Sequence, residues 1–105
     1  MEGFKMVKHI VMWKLKEEIA ENDRATIKNN VKKNLEGLVG KVPGLVEATV
    51  IIEPLSSSTH DMILTSDFDS EDDLKAYKNH PAHVEVADTF VRPYTCERGC
   101  YDWVM

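Results

Sequence analysis

The chain has 105 residues, of which 43% are hydrophobic and 30% are charged, with 5 Gly and 4 Pro. That length supports one hydrophobic core, so we predict a single domain over residues 1–105, with its core at residues 6–103. The composition excludes collagen-like, disordered and low-complexity proteins. Thirteen Lys and Arg against eighteen Asp and Glu give a formal net charge of −5. Because no surplus of cations is available for a phosphate backbone, nucleic acid is not an expected partner.

No apolar run approaches the roughly 20 residues that a membrane span needs. The segment Met1–Met6 also lacks the apolar core of a signal peptide, so we expect no membrane association and a cytoplasmic protein. Cys96 and Cys100 lie four residues apart in a predicted strand, where their Cα atoms would be about 13 Å apart. A disulfide joins Cα atoms within about 7 Å, so we expect reduced thiols, which agrees with a reducing compartment.

Residues 6–15 alternate as a strand does. The side chains predicted on one face are Val7, His9, Val11, Trp13 and Leu15. Asn22 or Asp23 is then a suitable N-cap for a first helix, which Gly40 and Pro43 would end. The apolar stripe of this helix is Ile27, Val31, Leu35 and Leu38.

Two further strands are predicted at 45–53 and 60–68, joined by a short loop at 54–59. In the first of them one side carries Val46, Ala48, Val50 and Ile52, and the other carries Thr49 and Ile51. In the second, one side carries His60, Met62, Leu64 and Phe68, and the other carries Asp61, Ile63, Thr65 and Asp67.

The remaining elements are marked by a cap and a proline. Ser70 followed by three acidic residues is typical of a capped helix start, and this helix carries Leu74 and Tyr77. Pro81 ends it, because the residue before a proline disfavours the α region. The same proline is suited to open a further short helix. Residues 95–104 are the last predicted strand.

The predicted order is strand, helix, strand, strand, helix, strand. With right-handed crossovers this is the α+β, ferredoxin-like βαββαβ fold: a four-stranded antiparallel sheet with both helices on one face. The other face then has no helix to cover it. Its centre would be Ile10, Met12, Ile51 and Ile63, and its charged rim Lys8, Lys14, Glu53, Asp61 and Asp67. An apolar centre with a polar rim is typical of an interface, so we predict a homodimer in which two sheets face each other.

Four histidines are the first candidates for chemistry. By strand alternation His9 and His60 point toward the helices, either as hydrogen-bonded core residues or as pocket residues. His83 follows Pro81 in the first turn of a helix, where the helix dipole disfavours imidazolium and keeps the imidazole able to act as a base. Tyr77 is close enough in sequence to donate a hydrogen bond in the same pocket. Alternatively, His80 and His83 cap a helix junction and Tyr77 packs in the core.

Metal binding is not expected. The chain has no Cys-x2-Cys or His-x3-His pair, and Arg98 stands between Cys96 and Cys100 on the predicted strand face, where its charge opposes a cation. We therefore predict neither a metal nor another cofactor.

Three segments together resemble the stress-responsive dimeric α/β-barrel (Dabb) domain family. They are residues 7–16, Val-Lys-His-Ile-Val-Met-Trp-Lys-Leu-Lys; residues 42–45, Val-Pro-Gly-Leu; and residues 77–83, Tyr-x2-His-Pro-x-His. The resemblance implies a ferredoxin-like protomer that pairs with a second copy to close a barrel. In a plant member that cyclises a polyketide thioester, residues matching His83 and Tyr77 are the catalytic base and its partner. Further pocket histidines there match His9 and His60.

Three functions follow as hypotheses. The first is a dimer that binds a small carbonyl compound in a pocket, with His83 and Tyr77 catalytic and His9, His60 and His80 ligand-binding, for a cyclase or lyase-like acid-base reaction. The second is a non-enzymatic dimeric stress or binding protein. The third, by fold analogy, is a cofactor-independent or haem-associated monooxygenase. The plant cyclase has aromatic residues on its first helix, whereas residues 20–40 of this chain contain none. We therefore do not predict the substrate of the cyclase for this protein.

Overall fold

The computed structural model describes residues 5–105. Residues 1–4 lie outside the described part, and they include the start of the predicted domain and most of the segment used for the signal-peptide prediction. Within residues 5–105, the helices are all too short or too polar to cross a membrane.

The structure is one antiparallel sheet with helices packed on one of its faces. The strands are β1 (Val7–Leu15), β2 (Leu45–Ile51), β3 (Met62–Phe68) and β4 (Thr95–Val104), in the spatial order β2-β3-β1-β4. The helices are α1 (Glu21–Glu36), α2 (Glu71–Asn79) and α3 (Pro81–Val86), followed by a π-helical segment (Ala87–Val91) and a 3-10 turn (Arg92–Tyr94). The predicted ferredoxin-like fold is confirmed.

Strand β1 lies between β3 and β4, so both of its edges are hydrogen-bonded. Its odd-numbered residues, 7 to 15, are buried, and its even-numbered residues are half-buried. This alternation arises because successive side chains of a strand point to opposite faces, and helices cover only one of them. The predicted core face of β1, including His9, is confirmed.

Helix α1 begins earlier than predicted. Its N-cap is Ala20, which provides no side-chain cap, and Asn22 and Asp23 lie inside the first turn. The predicted cap at these two residues is therefore wrong, although the acidic first turn still suits the positive end of the helix dipole. Glu36 ties the end of α1 to β2, because its Oε2 accepts hydrogen bonds from the Val50 amide at 2.9 Å and from Lys32 Nζ at 2.8 Å.

A β-bulge changes the predicted faces of β2. Leu45 lies opposite Phe68, and Glu47 lies opposite the next residue of β3, which leaves Val46 as the extra residue between them. Leu45 is buried and Val46 is 46% exposed. The prediction that Val46 shares the core side with Val50 is therefore wrong, because one inserted residue reverses the alternation before it.

Both predicted signals around α2 are confirmed. The Asp73 amide donates to Ser70 Oγ at 3.1 Å, which caps the helix. Pro81 is the first residue of α3, a position where the missing amide proton costs no helical hydrogen bond.

A second bulge lies in β4. Met12 is opposite Gly99 and Lys14 is opposite Cys96, so Glu97 and Arg98 both stand against the single residue Trp13. Glu97 has φ 47°, in the left-handed region. Regular alternation, which would place Cys96 and Cys100 on one face beside Arg98, is wrong here: Cys96 is paired with Lys14, and Cys100 with Val11. Both cysteines are free thiols.

The open face of the sheet has the predicted apolar centre. Met12 lies opposite Ile63, which in turn lies opposite Ile51. Two aromatic side chains of β4 extend this patch, since Tyr101 is 70% exposed and Trp103 is 42% exposed, with their ring centroids 5.7 Å apart. Lys8 and Asp67 form an ion pair of 2.6 Å at one end.

Gly44 is required by both backbone conformation and space. Its φ is 83°, and a Cβ atom there would lie 2.5 Å from Asp73 Cβ. Gly40 has a similar φ of 91°, but a Cβ atom there would meet no atom of the described residues within 4 Å. An L-residue in this left-handed backbone region costs about 1–2 kcal/mol, so both Gly→Ala variants should have a free energy of unfolding lowered by about that amount.

We expect Gly44→Ala to lower the free energy of unfolding by about 1–3 kcal/mol more than Gly40→Ala, because only the former displaces the first turn of α2. Urea denaturation of both variants measures the difference. Equal losses would show that Asp73 moves aside without cost.

Candidate functional site

A cavity of about 260 Å³ lies between the helix-bearing face of the sheet and the junction of α2 with α3. Six of its fourteen lining residues are apolar side chains of β1, β3, α1 and the π-helical segment. The polar groups that line it include His9, Tyr77 and His83. Three of the five residues predicted to form the site therefore meet in one cavity.

His9 enters the cavity from the centre of β1 and is only 3% exposed. Its Nδ1 lies 2.5 Å from Oδ1 of Asp102, the residue directly opposite it on β4. A carboxylate accepts, so Nδ1 carries the proton and Nε2 keeps a lone pair. Burial lowers the pKa of His9 despite the opposing effect of Asp102, and the imidazole is therefore neutral at pH 7.

Asp102 is a part of the site that sequence reasoning missed. Burial opposes its charge, but the hydrogen bond from His9 and the nearby positive charge of Lys78 outweigh that effect and lower its pKa. Burial and the Asp102 carboxylate raise the pKa of the neighbouring Cys100 thiol, which therefore stays protonated. The signal that could have found Asp102 is the antiparallel register of β1 and β4, which places it across from His9.

Tyr77 lies on the buried side of α2 and is 3% exposed. Its ring packs edge-on against Phe68, with centroids 4.9 Å apart. Burial raises its pKa to about 12, so the phenol is protonated. Tyr77 can therefore donate a hydrogen bond into the cavity.

His83 is the third residue of α3, where its ring lies against that of Tyr77 at a centroid distance of 4.1 Å. Its Nδ1 is 3.4 Å from the carbonyl oxygen of Lys78. Because a carbonyl only accepts, this contact places the proton on Nδ1 and the lone pair on Nε2. Burial is the main cause that lowers the pKa of His83; the hydrogen bond to Lys78 opposes it, and the charges of Arg92 and Arg98 lower the pKa further.

The other two histidines lie outside this cavity. Strand β3 begins at Met62, so His60 sits in the preceding bend, where strand alternation does not apply, and its Nδ1 contacts Thr59 Oγ1 at 2.8 Å. It lines a separate depression beside the β2–β3 loop. His80 caps α3, because its Nδ1 accepts from the Ala82 amide at 3.1 Å. The prediction that His60 points toward the helices with His9 is therefore wrong. His80 caps the junction of α2 and α3, as the structural alternative for this residue predicts.

One group of side chains has the composition of a metal site. Ligand atoms of His9, Cys100 and Asp102 all lie within 4.8 Å of one another. These side chains, however, are hydrogen-bonded to each other. His9 Nδ1 donates to Asp102 Oδ1, and the Cys100 thiol donates to the same oxygen at 3.6 Å. Lys78 Nζ also lies 4.0 Å from Asp102. The described residues therefore form a hydrogen-bonded cluster, and we assign no metal to it.

Two neutral imidazoles and one phenol thus face the same small space. Each imidazole offers Nε2 as a proton acceptor, and the phenol offers a proton to an oxygen. This set of groups is suited to remove a proton beside a carbonyl group while a hydrogen bond stabilises the resulting enolate oxygen.

Comparison with known proteins places the chain among its relatives. The family model of the stress-responsive A/B barrel domain matches residues 7–105. The chain belongs to this Dabb family. The resemblance inferred from the three sequence segments is confirmed.

A curated relative is a stress-response A/B barrel domain-containing protein of Arabidopsis thaliana, which is 31% identical over 100 residues. The match covers 94% of this chain and 36% of the relative, so this Dabb chain spans about a third of that protein.

Solved structures show the same fold. A dimeric protein of unknown function from Bacteroides fragilis, with a ferredoxin-like fold, superposes with a TM-score of 0.88 at 29% identity, covering 99% of this chain and 100% of the other. The hydroxynitrile lyase of Passiflora edulis superposes with a TM-score of 0.77 at 17% identity, covering 96% and 94%.

The lowered pKa values of His9 and His83 make stability depend on pH. Below the ordinary histidine pKa of about 6.5 the unfolded chain binds protons that the folded chain does not, so stability falls with falling pH. We expect the melting temperature to fall between about pH 7.5 and about pH 5, and to fall less steeply in His83→Gln. Calorimetric scans over this range test both statements. A melting temperature that rises on acidification would contradict them.

Proposed function

We propose that this Dabb domain binds a small carbonyl compound in the cavity and moves the proton on the carbon beside the carbonyl, with His83 as the base and Tyr77 as the hydrogen-bond donor. The observation that supports this most is the placement of a neutral imidazole against a protonated phenol, with ring centroids 4.1 Å apart. Enolisation of this kind is the first step of an aldol-type cyclisation.

His83 meets the two requirements of a base. Burial lowers its pKa, so the imidazole is unprotonated near neutral pH. Its Nδ1 is held by the Lys78 carbonyl, which leaves Nε2 as the accepting atom. His9 resembles it in charge and tautomer but is held on a strand by Asp102, so we assign His9 to bind and orient the ligand.

Tyr77 supplies the complementary group. A phenol with a pKa of about 12 stays protonated near neutral pH, where His83 is unprotonated, so one group can donate a proton while the other accepts one. The hydroxyl stabilises an oxygen more strongly as negative charge develops on it, and that difference accelerates proton removal.

Hydrogen–deuterium exchange tests this reaction directly. In D2O the protein should exchange the C3 protons of 2-hexanone for deuterium. Proton NMR measures the loss of their signal. His83→Gln and Tyr77→Phe should each reduce the rate by about 100-fold or more, because a general base and a single hydrogen-bond donor to the enolate oxygen each contribute at least about that much. Both variants are first compared with the wild type by thermal melting at pH 7.5, about one unit above the ordinary histidine pKa.

Three outcomes separate enolisation from ligand binding alone and identify the base. Exchange that depends on His83 supports enolisation. Binding of the ketone without exchange would instead support the non-enzymatic binding protein. Exchange unchanged in His83→Gln but lost in His9→Gln would transfer the role of base to His9.

We also propose that two copies pair through their open sheet faces. The apolar patch centred on Ile63 and the exposed Tyr101 and Trp103 support this, since monomers seldom expose an extended patch of this kind. The Bacteroides fragilis relative, described as dimeric, is consistent with it. The cavity lies on the other side of the sheet, so pairing would leave it accessible.

Ile63→Lys should convert the dimer to monomer, because it buries a charge at the centre of the patch. Sedimentation equilibrium at micromolar concentration measures the mass. Val39→Lys is the matched control, since Val39 is 41% exposed and lies in the turn after α1, outside the sheet. A dimer that persists in Ile63→Lys would contradict this interface.

A further inference from the structure

Positively charged side chains line the cavity, although the chain has a net charge of −5. Three of its lining residues carry a positive charge, namely Lys78, Arg92 and Arg98. Among the described residues that line it, none is an Asp or a Glu. Cations gathered around an apolar space favour an anionic ligand.

Arg98 is the lining cation without a carboxylate partner in the part of the chain that the structure describes. Lys78 is 4.0 Å from Asp102, and Arg92 is paired with Asp88 one helical turn away. Within residues 5–105 no ion pair includes Arg98. Its guanidinium therefore has its hydrogen-bond donors available for a ligand.

The β4 bulge separates Arg98 from Glu97, the carboxylate next to it in the sequence. Glu97 and Arg98 both lie opposite Trp13, and Glu97 has a φ of 47°. Glu97 forms an ion pair of 3.6 Å with Lys14, which is a residue of the open face. Arg98 instead lines the cavity together with Trp13. A bulge beside a site commonly redirects one side chain in this way.

Arg98 also lies close to the groups assigned to chemistry. It lines the same cavity as His9, Tyr77 and His83. Its positive charge also opposes protonation of both histidines, although burial is the main cause of their lowered pKa values.

We propose that Arg98 binds the carboxylate of the ligand and that the substrates of this site are small oxo acids, in which a carboxylate stands next to the reacting carbonyl. A planar guanidinium matches a carboxylate through two parallel hydrogen bonds. The carbonyl oxygen then lies toward Tyr77 and the adjacent carbon toward His83. The placement of the ligand's carbonyl group rests on the proposed function. The binding of its carboxylate is argued from the residues that line the cavity.

Three six-carbon probes separate the two halves. 2-Oxohexanoate has both groups, 2-hexanone replaces its carboxylate by a methyl group, and hexanoate lacks the ketone. Titration calorimetry should show that 2-oxohexanoate binds more tightly than 2-hexanone. In Arg98→Gln this preference should fall by about tenfold or more, as expected for the loss of a charged hydrogen-bonded pair. Arg98→Lys should retain part of it.

Two control variants test whether the effect belongs to Arg98. Lys75→Gln removes one positive charge from an exposed site that does not line the cavity, and should keep the wild-type preference. Arg92→Gln should reduce the preference less than Arg98→Gln does, because Asp88 already holds Arg92. A larger loss in Arg92→Gln would overturn the assignment to Arg98.

Hexanoate distinguishes failure of this inference from failure of the proposed function. Hexanoate binding that weakens in Arg98→Gln supports the carboxylate site even if no proton exchange occurs on any ketone. The inference is overturned if the wild type binds neither hexanoate nor 2-oxohexanoate. It is also overturned if Arg98→Gln binds these acids as tightly as the wild type does. Inorganic phosphate that binds more tightly than hexanoate, in an Arg98-dependent way, would replace the carboxylate by a phosphate group.

Discussion

The structure depends on the position of β1 between two antiparallel neighbours. Both edges of this strand are hydrogen-bonded, so its side chains can only project above or below the sheet. Helices cover one side alone, and the strand therefore supplies both the cavity and the open face: His9, Val11 and Trp13 line the former, and Ile10 and Met12 belong to the latter. A shift of one residue in this strand would exchange the two sets. The candidate chemistry and the proposed pairing thus share one register.

The proton positions in the cavity are set by backbone and carboxylate oxygens. His9 Nδ1 donates a hydrogen bond to Asp102, and His83 Nδ1 donates one to the Lys78 carbonyl, so Nε2 is left as the accepting atom in each ring. Burial then keeps both rings neutral. An apolar cavity that holds neutral bases beside positively charged side chains is suited to bind an anion and take a proton from it, because the cations stabilise the charge that remains.

Much of this fold could be predicted from local signals in the sequence. Alternation identified the faces of β1, the Ser70 cap located α2, and Pro81 located α3, because each of these signals acts within a few residues. The bulges at Val46 and Glu97 could not be found in this way. Each depends on how two strands distant in sequence align, and one inserted residue changes the face of its neighbours.

The candidate site was predictable to the same extent. Tyr77 and His83 lie close in sequence and were expected in one pocket, and alternation placed His9 on the same side. Asp102 and Arg98 were missed because their positions follow from the pairing of β4 with β1, which sequence spacing does not show. His60 was misplaced because β3 begins two residues later than alternation suggested. The residues that sequence missed are those brought in by long-range register.

The two tryptophans of the described chain lie on different sides of the sheet. Trp13 is buried in the cavity wall, and Trp103 is partly exposed on the open face next to Tyr101. Indole emission depends on the polarity around the ring, so the natural sequence already contains one optical reporter for cavity occupancy and another for self-association. Each can be silenced separately by Trp→Phe without adding a label.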